Sequence, residues 1–522
     1  YGISSSIEHE EKPMAFAAHD WVDYHANHRP QDPALGSADD NTMLRWADLE
    51  ERVGRLACVL RDRGVKKGDR ILVIAENDPR IIEIQFAAMR IGALLVPLNW
   101  RLAVSEVTDI ALDAEAQMIV HDAEWASVAN NIAEKAAIPE RISWAATGSE
   151  YDAAVASAGH LAPHIGLTFD DPTHILYTSG TTGLPKGVLS THGTLVWQAL
   201  NTAHTTRYSE PGNHHLNPMP LFHAGGLNVM ANPILYFGGA VSIMRRFVPD
   251  AVFAALIRSE LPATHFAAIP LMYRGISAQP GFDTADFSRA RQFIVAGAIA
   301  EPELLQRWAD RGVALQPQYG GTEHGPMATA VDNPALALNR AKAGSIGRSA
   351  RHTQIRLVDQ GGNDVAAGDT GEIWLRGPSV TPGYWRKDNH DFFTDGWYRT
   401  GDAARRDADG YYYLAGRVKE MYKSGGENVY PAEIERVFGE HPKVSDVAVI
   451  GIHHEVWGEV GMAVVVPAQP RVPPTLDELN QFAQARLARF KLPKSLAVVD
   501  DLPRNVTGKL CRQALKAQYG GV

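Results

Sequence analysis

The chain has 522 residues, 45% of them hydrophobic and 21% charged, with a formal net charge of −10. That length exceeds one hydrophobic core and calls for two or more domains of ordinary globular composition. The acidic balance excludes a general nucleic-acid binder, no apolar run is long enough to span a membrane, and the two cysteines, Cys58 and Cys511, exclude a disulfide framework and fit a reducing cytoplasm.

In chain order, "RILVIA" reads as a short buried strand, "PRIIEIQFAAMRIG" as a helix opened by Pro79 and closed by Gly92, and "ALLVPLN" as a second buried strand. A comparable unit recurs over 214–244, with "LNVMANPILYFGG" as its helix, and a third over 261–296 with "ATHFAAI" and "RQFIVAG" as strands. Strands alternating with helices predict an α/β region with largely parallel sheets. After about residue 350 the texture changes. "TQIRLVD", "GEIWLRG" and "GYYYLAGR" alternate between Gly/Asp-rich turns and read as antiparallel strands. Beyond Arg417 a smaller mixed α+β unit follows: a helix "YPAEIERVFGEHP", strands "VSDVAVIGI" and "MAVVVP", and an amphipathic helix "LDELNQFAQARLARF". The predicted division is a large body over 1–416, a connection over 417–420 and a small body over 421–522. Basic residues crowd the end (Arg486, Arg489, Lys491, Lys494, Arg504, Lys509, Arg512, Lys516), which suits either an anionic ligand or a solvated face.

The stretch "YTSGTTGLPKG" (177–187) is the most chemical in the chain. The strand "THILY" delivers it to a turn. Gly180 and Gly183 let backbone amides converge, Thr178, Ser179, Thr181 and Thr182 add hydroxyls, and Lys186 adds a point charge, as a phosphate cradle requires. It is not a standard P-loop, because Gly187 and not Ser or Thr follows the lysine. A plain Gly/Ser/Thr surface loop is the bland alternative.

This stretch resembles the signature of adenylate-forming enzymes, a superfamily of acyl-CoA synthetases, carrier-loading adenylation domains and beetle luciferases. "YGGTEHG" (319–325), "YRTGDAARRDADGYYYLAGRVKEMYKSGGENVYPAEIE" (398–435) and "PRNVTGKL" (503–510) are similar to further segments of the same family, in the same order. The resemblance implies a large N-terminal domain of α/β subdomains with a small β-barrel-like part, and a mobile α+β C-terminal domain. It implies ATP, Mg2+ and coenzyme A, a small carboxylic acid as the other partner, and a fold in which a homodimer is compatible with function. The acid attacks the α-phosphorus of ATP, and a thiol then displaces AMP.

On that resemblance Glu323 and Thr178 hold magnesium, Thr322 reaches the α-phosphate, and Tyr319 with Gly320 and the small pair Gly297 and Ala298 enclose adenine. "AGAIA" (296–300) departs from the usual Gly-Gly-Ala-Pro there. Asp402 meets the ribose, Arg417 contacts ribose or phosphate, and Lys509 reaches the α-phosphate and the acyl carboxylate. Lys419 aligns with the pivot of a domain rotation. That rotation presents Gly425 and Gly426 to the thiol arm, with Lys423 assisting the second half-reaction and Arg489 and Lys491 meeting the phosphates of the thiol donor. "MPLFHAGGLN" (219–228) resembles the acyl-pocket segment, with His223 as a gate and Gly225, Gly226 and Gly321 leaving space. Ala224 stands where amino-acid-activating relatives place Asp, so a substrate ammonium finds no counter-charge. The expected acid is a hydroxycinnamate such as coumarate or ferulate. A medium-chain or branched fatty acid is nearly as well suited, and loading of a carrier protein is a further reading.

Overall fold

The computed structural model describes residues 16–145, 148–163, 166–178, 185–258, 260–339, 342–424, 427–504 and 510–520. Two compact units emerge: 1–354 with 376–391, and 355–375 with 392–522. The expected connection at 417–420 falls within the second unit.

The first unit holds two sheets. In the six-stranded one, Arg70–Ile74 pairs in parallel with Leu94–Pro97 and with Met118–Asp122, and Pro172–Thr178 lies beside Leu94–Pro97. The helix Pro79–Ile91 between the first two strands starts and stops as its sequence predicts. Asp78 accepts from the Arg80 amide at its N-terminus, and Gly92 takes the left-handed conformation (φ 72°) at its end. Nearly all of it is buried, consistent with its apolar residues on every face. The nine-stranded sheet runs in parallel through Ala240–Ile243, His214–Asn217, His265–Ala268, Gln292–Val295 and Leu315–Tyr319. Loops that follow parallel strands leave at one edge, which is where such sheets bind ligands.

Two helices differ from their sequence reading. The segment 227–239, expected as one helix, is a π-helical turn Leu227–Ala231 and a helix Asn232–Tyr236, preceded by a short turn Ala224–Gly226. Pro233 cannot donate to the Val229 carbonyl, so the turn before it widens and the Asn232 amide bonds to the Leu227 carbonyl instead. The Tyr208 hydroxyl donates to the Val229 oxygen at 3.3 Å and satisfies it. In the second unit, "LDELNQFAQARLARF" is helical only over Leu476–Ala483. The Asn480 side-chain Nδ2 donates to the Pro493 carbonyl at 3.0 Å, which requires the chain to turn back before residue 490.

The second unit has an antiparallel sheet built on Thr370–Arg376, Trp397–Arg406 and Tyr412–Arg417, and a mixed sheet centred on the hairpin Val444–His454 and Gly458–Pro467. The helix Pro431–Gly439 packs on the latter through Ile434, Val437 and Phe438. The mixed α/β first unit and α+β second unit match the fold class expected. Among the described residues no helix is long and apolar enough to cross a membrane.

Candidate active site

In the first unit, the strand Pro172–Thr178 turns into Lys186–Thr191, and the two pair antiparallel with Thr178 opposite Lys186. The hairpin therefore sets a hydroxyl and an ammonium at the two ends of the expected phosphate cradle. Ser179, Gly180, Thr181, Thr182 and Gly183 lie outside the described residues. The Thr178 hydroxyl donates to the Lys186 carbonyl at 3.4 Å. Gly187 is dictated by packing: a Cβ there would lie 2.6 Å from Ile175 Cγ2, and its carbonyl accepts from the Trp385 amide at 2.7 Å.

Glu323 reaches the same place from the other sheet. Tyr319 ends the strand Leu315–Tyr319, and the chain turns so tightly that a Cβ on Gly320 would lie 2.0 Å from the Pro326 oxygen. Thr322 and Glu323 follow, half-buried. The segment 381–385 laces the two parts together. The Thr381 amide donates to the Glu323 carbonyl at 2.7 Å, and the Thr381 hydroxyl donates to the Leu189 carbonyl at 2.7 Å. The Tyr384 hydroxyl donates to Glu323 Oε1 at 3.1 Å, while the Lys186 ammonium lies 5.8 Å from the Tyr384 ring centroid. Tyr384 thus joins a carboxylate and a lysine that the sequence reading assigned to one site. That reading missed Tyr384; the aromatic pair Tyr384-Trp385 after Gly383 was the only available sign. Thr178 and Glu323 offer the hydroxyl and carboxylate oxygens that magnesium takes, so the donor set fits the ion.

Gly297 (φ 83°) and Ala298 are exposed just past the strand Gln292–Val295, which pairs with Leu315–Tyr319. The expected adenine walls therefore leave adjacent parallel strands at one edge. One face of Tyr319 is already stacked on His324, 5.4 Å between centroids at 24°.

The expected acyl segment follows the strand His214–Asn217. His223 is exposed and its Nδ1 accepts the Gly225 amide at 2.9 Å, so the ring proton of its neutral form sits on Nε2. Two glycines expected to give the acid space have another geometric cause for lacking a side chain. At Gly226 a Cβ would lie 2.3 Å from the Pro220 oxygen, and at Gly321 it would lie 2.6 Å from His324 Nε2. Gly225 is looser, with His223 Nδ1 at 3.1 Å. Ala224 is buried in the core.

In the second unit, Asp402 and Arg417 face each other on paired strands, with Arg417 Nε 2.7 Å from Asp402 Oδ1. The Asp402 amide is held by the Thr400 hydroxyl at 3.0 Å. Lys419 lies in the short turn Val418–Glu420. Lys423 and Lys491 line one cavity of about 330 Å³ with Glu427, Asn428 and Glu433. Lys491 is paired to Glu433 at 2.5 Å, whereas Arg489 is exposed. Gly425, Gly426 and Lys509 lie outside the described residues.

The family profile for AMP-binding enzymes matches residues 22–385, and that for their C-terminal domain matches 433–509. The chain belongs to the AMP-binding enzyme family. This AMP-binding enzyme is 37% identical to a feruloyl-CoA synthase of Amycolatopsis sp over 482 residues, 92% of this chain and 94% of the relative. It is also 37% identical to an indoleacetate–CoA ligase of Aromatoleum aromaticum over 501 residues, 94% and 96% of the two chains. Among solved structures it is similar to ATP-bound MatB from Rhodopseudomonas palustris, with a TM-score of 0.87 and 30% identity over 96% of this chain and 99% of that one. The AMP-binding enzyme is an AMP-forming CoA ligase of the adenylate-forming superfamily.

Proposed function

We propose that this ligase activates an arylalkenoic or arylalkanoic acid of the ferulate or coumarate kind and transfers it to coenzyme A through an acyl-adenylate. The observation that carries the reading is the junction of Thr178, Lys186 and Glu323 through Tyr384. It supplies oxygens and a cation where triphosphate charge must be neutralised during in-line attack at phosphorus. Bound Mg2+, held by Glu323 and Thr178, would neutralise phosphate charge. Ser179, Gly180, Thr181, Thr182 and Gly183 close the cradle, and Thr322 contacts the α-phosphate. Tyr319, Gly320, Gly297 and Ala298 bind adenine, and Asp402 with Arg417 binds ribose. Lys509 brings its ammonium to the charge that develops as the carboxylate attacks.

The buried methyl of Ala224 beside His223 supports an acid without an α-ammonium. The feruloyl and indoleacetate relatives, both ligases of aromatic acids, support the aryl class. For the second half-reaction, rotation at 417–420 about Lys419 moves the body 421–522. Gly425 and Gly426 then border the thiol's path, Lys423 assists its attack, and Arg489 and Lys491 meet its phosphates. A panel of ferulate, coumarate, indoleacetate, a medium-chain fatty acid and an amino acid, assayed for AMP release with CoA and magnesium, tests this. Ferulate or coumarate should give the highest kcat/KM. A fatty acid preferred over every aryl acid rejects the substrate assignment, and no AMP with any acid rejects the reaction.

A further inference from the structure

A line of neutral polar side chains crosses the core of the first unit. Gln85 Nε2 donates to Asn232 Oδ1 at 2.7 Å, and Asn232 Nδ2 donates to Asn228 Oδ1 at 2.8 Å. Asn228 Nδ2 lies 3.2 Å from His174 Nε2, His174 Nδ1 lies 3.3 Å from Thr173 Oγ1, and that hydroxyl donates to the Ser190 carbonyl at 3.2 Å. Gln85, Thr173 and His174 are wholly buried, Asn228 is 1% and Asn232 2% exposed. Burial lowers the His174 pKa to about 3, so the ring is neutral. Its Nε2 accepts from Asn228, its proton is therefore on Nδ1, and the shorter bonds run one way, from the helix Pro79–Ile91 to the strand Lys186–Thr191, with one longer return bond from Asn232 Nδ2 to Gln85 Oε1 at 3.5 Å.

Buried amides and hydroxyls cost stability relative to apolar side chains unless fully paired, and a line that is fully paired specifies one arrangement of the elements it joins. Here those elements are the strands ending in Thr178 and beginning at Lys186, and the π-helical turn Leu227–Ala231 that follows His223. Wide turns of this kind are rare single-turn insertions in helices and often lie at functional sites. Asn228 is inside the turn and Asn232 closes it.

We propose that Asn228 and His174 are positioning residues that lock the acyl segment 219–228 in register with the phosphate hairpin, so that acid and ATP bind in alignment. The inference rests on the functional reading above. Neither residue contacts the reacting atoms; both act through His223 and Thr178.

Single variants His174→Leu and Asn228→Ala each strand a buried polar partner and lower Tm. The double variant nearly conserves total volume and removes both ends of the Asn228–His174 contact, but leaves Asn232 Nδ2 with only Gln85 Oε1 at 3.5 Å, so its Tm should be higher than the sum of the single losses predicts without reaching wild type. Kinetics separate alignment from stability. In the double variant the KM for the acid should stay about tenfold above wild type while the KM for ATP changes less than twofold. Tightening of the acid Kd by a non-hydrolysable ATP analogue should also vanish. A double variant with wild-type acid KM and wild-type tightening overturns the proposal and leaves the line a stability feature. If those variants do not fold, Thr173→Val, which deletes one hydroxyl at constant shape, decides: a raised acid KM supports the proposal and an unchanged one overturns it. A wild-type enzyme that releases no AMP with any acid sinks the functional reading and this inference together. An active wild type with an indifferent double variant sinks only this one.

Discussion

Replacing Tyr384 with phenylalanine removes one oxygen and keeps the ring. The ring's place under the Lys186 ammonium is preserved, as are the backbone bonds that tie 381–385 to the phosphate hairpin. What is lost is the hydrogen bond to Glu323 Oε1. A hydrogen bond to a charged group contributes about 1.5–3 kcal/mol, and Glu323 is only half-buried, so the lower end applies. About 1.5 kcal/mol corresponds to roughly tenfold in rate. In ATP–pyrophosphate exchange at saturating acid, Tyr384→Phe should lower kcat/KM for MgATP about tenfold and leave the acid KM within twofold. If Tyr384 acts by orienting Glu323, the double variant Tyr384→Phe/Glu323→Gln should lose no more than Glu323→Gln alone. Full activity in Tyr384→Phe, or losses that simply multiply in the double variant, would refute the reasoning.

Burial lowers the pKa of His174 and His215 to about 3 and of His192, His214 and His265 to about 4. Below pH 6.5 the unfolded chain protonates these rings and the native one does not, so stability is complete above 6.5 and falls with acidification at about 1.4 kcal/mol per ring per pH unit. Urea midpoints should drop steeply between pH 6.5 and 5; a flat profile there rejects the buried-neutral assignment. Gly226→Ala should cost about 1–3 kcal/mol, because its Cβ meets the fixed Pro220 carbonyl, whereas Gly225→Ala should keep Tm but disturb His223 and raise the acid KM. Equal Tm values for the two variants would contradict the packing described. Lys509→Ala should depress adenylate formation and spare thioester formation from supplied acyl-adenylate, while Gly425→Leu should do the reverse; equal loss of both steps in both variants counts against domain rotation.

Much of this protein is written in runs of adjacent residues. The helix Pro79–Ile91 could be read because its proline, its apolar spacing and its closing glycine are consecutive, and each acts within a turn or two. The strand Pro172–Thr178 and the antiparallel texture beyond residue 350 were legible for the same reason. So was the family, whose motifs are unbroken strings. Where a distant residue intervened, the local signal failed. Pro233 alone would suggest a break, but the π-helical turn survives because Tyr208 satisfies the carbonyl that the proline leaves. The helix after Thr475 stops at Ala483 because Asn480 is bonded to Pro493 across a reversal that periodicity does not encode.

The candidate site divides in the same way. Thr178 and Lys186 were singled out from their own neighbours, since a phosphate cradle needs particular residues in succession, and Glu323 and Tyr319 from the resemblance of YGGTEHG to a family segment. Tyr384 was not found, because its importance is a 3.1 Å contact with a residue far away in the chain. Gly226 and Gly321 looked like empty space, and only the folded chain shows the Pro220 carbonyl and the His324 ring already filling it. Gln85, His174, Asn228 and Asn232 look like unrelated polar residues in apolar stretches until the fold lines them up. Backbone propensity and short motifs act between neighbours, so sequence alone determined most of the elements and the family, and nominated the candidate groups. Packing and hydrogen bonds across the core act between residues brought together from distant parts of the chain, so only the tertiary structure decided how those groups are held.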